Sequence, residues 1–233
     1  MKARAGIVVF SILIVLVAAG CATTPFQPRG INEIPMYGGG GINEVQKAAN
    51  EKFIAGIKNS GISLEDGSKQ AVTRGWQYLR QHDYSTSMKR FNQAWLLNPK
   101  NPDIFWGFGN WYGYQEKYDE AEKMFKLGLE LKEDHSGILY DLAFTYNNQG
   151  IKVKYSKTPE GADRYFEKAL PLLEKASALK PKWGDLYSTW SASLMQLKRY
   201  SEALEKAEIG KEFGGRLEPG YIEFLKSQIK KEQ

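Results

Sequence analysis

Two histidines, His82 and His135, lie 53 residues apart, and the chain has one cysteine, Cys21. Imidazole and thiolate are the usual groups for binding soft metals and for nucleophilic or acid–base chemistry near neutral pH. Here they lack the number and spacing that such chemistry needs. One cysteine excludes a disulfide framework, a thiolate zinc site and a CxxC redox pair, and two distant histidines leave little for a metal site. Each histidine falls in an expected inter-helix turn, where a helix-end or surface role suffices. Carboxylates gather at Glu116, Asp119, Glu120 and Glu122, but a solvated helix start accounts for them without an acid/base pair. No GxSxG, HExxH, P-loop or dinucleotide fingerprint occurs. Gly38 to Gly41 lack the Lys and Ser/Thr that follow in a phosphate cradle. Lys152, Lys154 and Lys157 could touch a partner or anionic lipid, although a plain solvated loop is the preferred reading. No enzymatic activity, metal or cofactor is expected.

Cys21 has a different chemistry, set by what precedes it. Lys2 and Arg4 lead an apolar stretch from Gly6 to Ala19, broken only by Ser11. Fourteen residues rising about 1.5 Å each span roughly 21 Å, short of the ~30 Å hydrocarbon core. That length fits a signal-peptide core better than a spanning helix. The run Val17-Ala18-Ala19-Gly20-Cys21 places small residues directly before the cysteine and resembles a bacterial lipobox, with Ala18 where the family usually has Leu. The resemblance implies a signal peptide over 1–20 and an acylated, palmitate-bearing Cys21 as the mature N-terminus. Several acyl chains exceed the one-chain threshold for stable anchoring. Ala22, where Asp would resemble an inner-membrane retention signal, implies an outer-membrane protein facing the periplasm of a diderm envelope. Residues 22–42 hold three Pro and five Gly without helical or strand periodicity, so 21–42 is expected to be a solvated tether.

The balance of the chain is that of an ordinary globular protein. It has 233 residues, 42% hydrophobic, 13% aromatic and 25% charged, which argues against disorder and against a multi-span membrane protein. Once Lys2 and Arg4 are removed with the signal, 30 of the 32 basic side chains face 27 acidic ones. That near-balance concerns solubility and does not point to nucleic acid.

The strongest signal is repetition. Gly75 and Gly109 are 34 residues apart, as are Tyr78 and Tyr112, Tyr84 and Tyr118, and Phe91 and Phe125. With Ala94, Pro99, Phe105, Phe108 and Ala121 these residues resemble the tetratricopeptide repeat (TPR), in which each unit is a helical hairpin. Glu133 stands in the closing-Pro slot and Gly128 in an Ala slot, departures from the pattern. The resemblance implies an all-α solenoid over 43–233. Its repeats fall near 68–101, 102–135, 136–183 and 184–215, with a cap helix at 218–232 and a second cap through Val45, Ala49, Phe53 and Ile57. About nine helices are expected from Val45 onward. The third unit carries 14 extra residues, expected around Gly150 to Gly161, between its helices or lengthening both. Thr158-Pro159-Glu160 reads as the start of its second helix, and Pro171 should kink that helix.

In this family the first helix of each hairpin lines a concave groove, so the resemblance implies a protein-binding row on those helices. Spacing assigns to it Trp76 and Arg80; Trp106, Asn110 and Tyr114; Tyr140, Phe144, Asn147 and Asn148; and Ser188, Ala192, Met195 and Gln196. Val72 and Trp76 occupy two slots that bind chaperone C-termini in a related pattern, so that activity is not expected. Trp, Tyr and Arg are common interface anchors, although any one of these aromatics could equally be inter-repeat core. The expected function is a lipid-anchored envelope scaffold docking a protein partner, with an accessory role in an assembly or secretion machine as its more specific version. The alternative is a glycan or small-molecule binder stacking on Trp76, Trp106 and Tyr114.

Overall fold

The computed structural model describes residues 26–39 and 41–232. The signal segment, Cys21 and the start of the expected tether lie outside the described residues. Among those described there is no strand, and ten α-helices follow in order. They are α1 (Glu44–Asn59), α2 (Leu64–Arg80), α3 (Tyr84–Leu97), α4 (Pro102–Gly113) and α5 (Tyr118–Leu131), then α6 (Ser136–Lys154), α7 (Asp163–Leu179), α8 (Gly184–Gln196), α9 (Tyr200–Glu212) and α10 (Tyr221–Glu232). Side-chain caps start several of them. Asn43, Ser63, Asp83 and Asn101 each accept from a backbone N–H of the first turn, satisfying donors that a helix leaves open. Pro102 at the first position of α4 loses no hydrogen bond there.

Helices α2/α3, α4/α5, α6/α7 and α8/α9 pair as four hairpins, α10 packs on α9, and α1 lies against α2 and α3 with no residue fully buried. This is the all-α hairpin solenoid that the repeats predict. The first three hairpins are each closed by a glycine on the first helix facing a ring on the second, and the fourth by Ser191, whose hydroxyl donates to the Ala203 carbonyl at 2.6 Å. A Cβ at Gly75 would stand 2.6 Å from the Phe91 ring, and one at Gly150 would stand 2.7 Å from Phe166. Gly109 meets Phe125 in the same way. The three pairs share one separation of 16 residues, so they are equivalent contacts.

That equivalence relocates the 14 extra residues of the third unit. Gly150 and Phe166 keep the ordinary spacing across the turn, so the additions lie beyond them, lengthening α6 at its start and α7 at its end by two turns each. Thr158-Pro159-Glu160 does not open the second helix; α7 begins at Asp163, after Gly161 takes a φ of +76°. The α7 assignment is unbroken across Pro171, which is exposed.

The expectation of a free tether is corrected for residues 26–39. They lie along α3 in short 3₁₀ turns. The buried Asn92 side chain of α3 clasps them, donating to the Asn32 and Ile34 carbonyls at 3.0 and 2.8 Å and accepting from Met36 N–H at 2.9 Å. Glu33, 4% exposed, accepts from the Ser85 hydroxyl and the Arg29 backbone N–H and pairs with Lys89 at 3.0 Å. These charge-assisted bonds hold its carboxyl down at about 2. Phe26 packs edge-on against Trp111, and Tyr37 is buried beside Trp95. Pro and Gly shape the segment, but polar anchors on α3 order it.

Candidate functional site

The first helices α2, α4, α6 and α8 sit side by side, and side chains from each reach the next. The Trp76 ring of α2 lies 4.7 Å from the Trp106 ring of α4, tilted by 59°. Trp106 then donates its Nε1–H to Asp141 Oδ2 of α6 at 2.6 Å. Asn110, one turn along α4 from Trp106, donates to the same oxygen at 2.7 Å. On α6, Tyr140 packs on Trp183 at 4.4 Å and meets the Thr189 hydroxyl of α8 at 3.3 Å. Burial pushes the Tyr140 phenol up to about 12, so it acts as a neutral hydrogen-bonding group. Trp76, Trp106, Asn110, Asp141 and Tyr140 are all partly exposed. They form one continuous strip across three units.

Behind the strip stands His135. Its Nδ1 accepts from the Ile138 backbone N–H, capping α6, which places the ring proton on Nε2. Nε2 faces Asp103 Oδ1 at 2.8 Å, and the ring lies 5.3 Å from Trp106. The His135 bond holds the Asp103 carboxyl below its ordinary value. The helix-end role expected for His135 is therefore observed, with a tie to the strip in addition.

Not every residue assigned by spacing belongs there. Asn147 is 2% exposed and accepts from the Ser193 hydroxyl at 2.9 Å, so it joins α6 to α8 from inside. Tyr114 caps the end of α4, 52% exposed, with its ring near His82 and Tyr84 at the turn edge. Its backbone keeps a helical conformation, and its N–H still bonds to the Asn110 carbonyl at 2.9 Å. Phe144 packs on Tyr140 at 6.4 Å and is half-buried, as is Asn148, while Arg80 is exposed at the last residue of α2. In the fourth unit Gln196 is buried against Lys154, Met195 packs in the α8–α10 core, and Ser188 bonds back to the Gly184 carbonyl. Ala192 is half-buried. Two of the three lysines singled out near the insertion are engaged: Lys154 with Gln196, and Lys152 with Glu116 and the Tyr118 ring.

Asp141 is the residue that the spacing argument missed. It carries the one charge between Ser136 and Ile151, and an isolated carboxylate within an apolar helical run is a visible sign of a polar contact. Burial raises its pKa, opposed by the bonds from Asn110 and Trp106. Oδ1 takes no hydrogen bond among the described residues and is not among the sealed side-chain atoms without a partner. No described ion pair includes Asp141; a charge on His135, if protonated, would lower its pKa. No group of three or more potential metal-ligating side chains exists among the described residues. The two best-formed cavities of the described residues lie elsewhere. One of about 460 Å³ sits between the 30–37 segment, α1 and α3, and one of about 410 Å³ between the α4–α5 turn, the end of α6 and Tyr165. The strip is an open surface.

No protein-family model matches the chain, and no curated protein matches it. Solved structures do. A thermophilic TPR protein of Thermus thermophilus aligns with a TM-score of 0.55 and 16% identity over 63% of this chain and 74% of its own. MamA of Desulfovibrio magneticus aligns at 0.54 and 15% identity, over 71% and 86% of the two chains. A further MamA crystal structure gives 0.52 and 13% identity. With four Gly- or Ser-centred hairpins stacked through their first helices, and with these structural neighbours, the chain has the fold of a tetratricopeptide-repeat protein.

Proposed function

We propose that the chain is a lipid-anchored envelope scaffold that holds a protein partner on the face of α2, α4 and α6. The carrying observation is the strip from Trp76 through Trp106 and Asn110 to Asp141 and Tyr140, whose rings and amide are partly exposed yet fixed by neighbours from the next unit. Side chains already held in place lose little freedom on binding, and aromatic anchors of this kind dominate interface energies. An open strip suits an extended or helical segment of a protein better than an enclosed small molecule. The Tyr114 ring, which the glycan alternative needs beside Trp76 and Trp106, has its ring contacts with His82 and Tyr84 instead. The Lys2 to Cys21 sequence supports the anchor and the envelope location, and an accessory role in an assembly or secretion machine fits both. A scaffold that binds without turnover needs no nucleophile–base pair. Crosslinking in intact envelopes followed by purification tests the reading. A partner protein recovered with the chain and lost on Trp76→Ala supports it. Recovery indifferent to every strip substitution overturns it.

A further inference from the structure

We infer that the strip recognises a partner segment through one arginine or lysine side chain, its head group meeting Asp141 Oδ1 beside the Trp106 ring; the inference rests on the binding face proposed above. Asp141 is the chemical reason. Its Oδ2 is saturated by two neutral donors, Trp106 Nε1–H at 2.6 Å and Asn110 Nδ2 at 2.7 Å. Its Oδ1 has no hydrogen-bond partner among the described residues, and no described lysine or arginine pairs with it. A half-buried carboxylate with donors on one oxygen only is an incomplete site, because burial strips water from a charge that nothing opposite then balances. The neighbouring acids are spoken for: Asp103 faces His135 at 2.8 Å, and Asp185 meets Arg216 at 3.4 Å. The cation is the missing piece.

The surroundings match that occupant. The Trp106 ring is hydrogen-bonded to the carboxylate through its edge and the Trp76 ring packs on Trp106, and an indole face attracts a guanidinium or ammonium within about 6 Å. Burying the aliphatic stem of Arg or Lys along these rings uses the apolar part of the strip, and the head group would complete Oδ1. An acidic partner would meet the reverse charge, and an uncharged one would leave Asp141 as it is. The charge complementarity therefore selects a basic segment.

The test is a selection of displayed random dodecapeptides on the full chain in detergent micelles, repeated on Asp141→Asn. Asparagine keeps an oxygen to accept from Trp106 and Asn110, and thermal melting verifies that the variant is folded. The expected result is peptides sharing an Arg or Lys whose affinity falls at least tenfold on Asp141→Asn. Replacing that Arg or Lys by norleucine should cost a similar factor in the wild-type chain and almost nothing in the variant. Peptides that need Trp76 but show no basic residue, or bind Asp141→Asn unchanged, would overturn the Asp141 assignment and leave the binding face standing. Peptides indifferent to Trp76→Ala and Asp141→Asn alike would remove the binding face and this inference with it.

Discussion

The Trp106 indole N–H of α4 donates to the Asp141 carboxylate of α6 at 2.6 Å. The bond joins the first helices of two successive repeats and makes one contact serve two ends: it fixes the orientation of an exposed ring, and it partly compensates a buried charge. The two ends pull in opposite directions, since the charge that suits a cationic partner costs stability while no partner is bound.

That conflict has a measurable sign. The Asp141 pKa is raised in the folded chain by burial, so the protonated form is favoured on folding. Its contribution is greatest below the ordinary carboxylate value of 3.8 and is lost as pH rises through the folded value. Asp141→Asn should therefore raise the melting temperature at pH 7, and the gain should vanish below about pH 3.8. A variant that melts lower at neutral pH would mean that Oδ1 is already balanced.

Trp106 has structural as well as exposed contacts, because its ring covers Gly137, where an added Cβ would stand 2.7 Å away. Trp106→Ala should cost about 3 kcal/mol, near the lower end for a large aromatic truncation. Trp106→Phe should cost less and remove the donor to Asp141. Urea midpoints of the two variants check this order, and equal losses would assign the cost to the hydrogen bond rather than the ring.

Two glycines make a controlled pair. Gly150→Ala places a methyl 2.7 Å from the Phe166 ring, whereas Gly113→Ala at the end of α4 meets nothing within 4 Å. The first should destabilise by about 1–3 kcal/mol, and the second should be neutral or stabilise by up to about 1 kcal/mol. Near-equal effects in denaturant unfolding would contradict the hairpin register drawn for the third unit.

The 26–39 segment should detach when its anchors are lost. Asn92→Ala leaves two carbonyls and one N–H without their partner, and tryptic cleavage after Arg29 should accelerate severalfold. In the intact protein Glu33 titrates from an ordinary 4.5 down to about 2, so its contribution is present above pH 4.5 and is lost as pH falls toward 2. Hydrogen exchange at Met36 that stayed unchanged over this window would show that Glu33 does not hold the segment.

Membrane attachment is the simplest prediction to check. Cys21→Ala should move the protein from the detergent phase to the aqueous phase, since the apolar run before it spans only roughly 21 Å. No described helix is long and apolar enough to cross a membrane. Unaltered partitioning would remove the lipid anchor.

The repeats of this chain were legible because a hairpin closed by a glycine against a ring makes a local demand that recurs at a fixed offset: Gly75 with Phe91, and Gly109 with Phe125. The same offset marks Gly150 and Phe166, so the register of the third unit was also present in the sequence, hidden by the 14 residues added outside the pair. Helical spacing put Trp76, Trp106 and Asn110 in one row, and Trp76 packs on Trp106 while Asn110 bonds back to the Trp106 carbonyl. Asn147, assigned to the same row, turns inward to Ser193. Asp141 and the Asn92 clasp depended on partners 31 to 60 residues away. Periodicity reports the face that a side chain occupies on its own helix. Whether that side chain is buried, paired or open depends on what the neighbouring helix brings opposite it, and packing alone decides that.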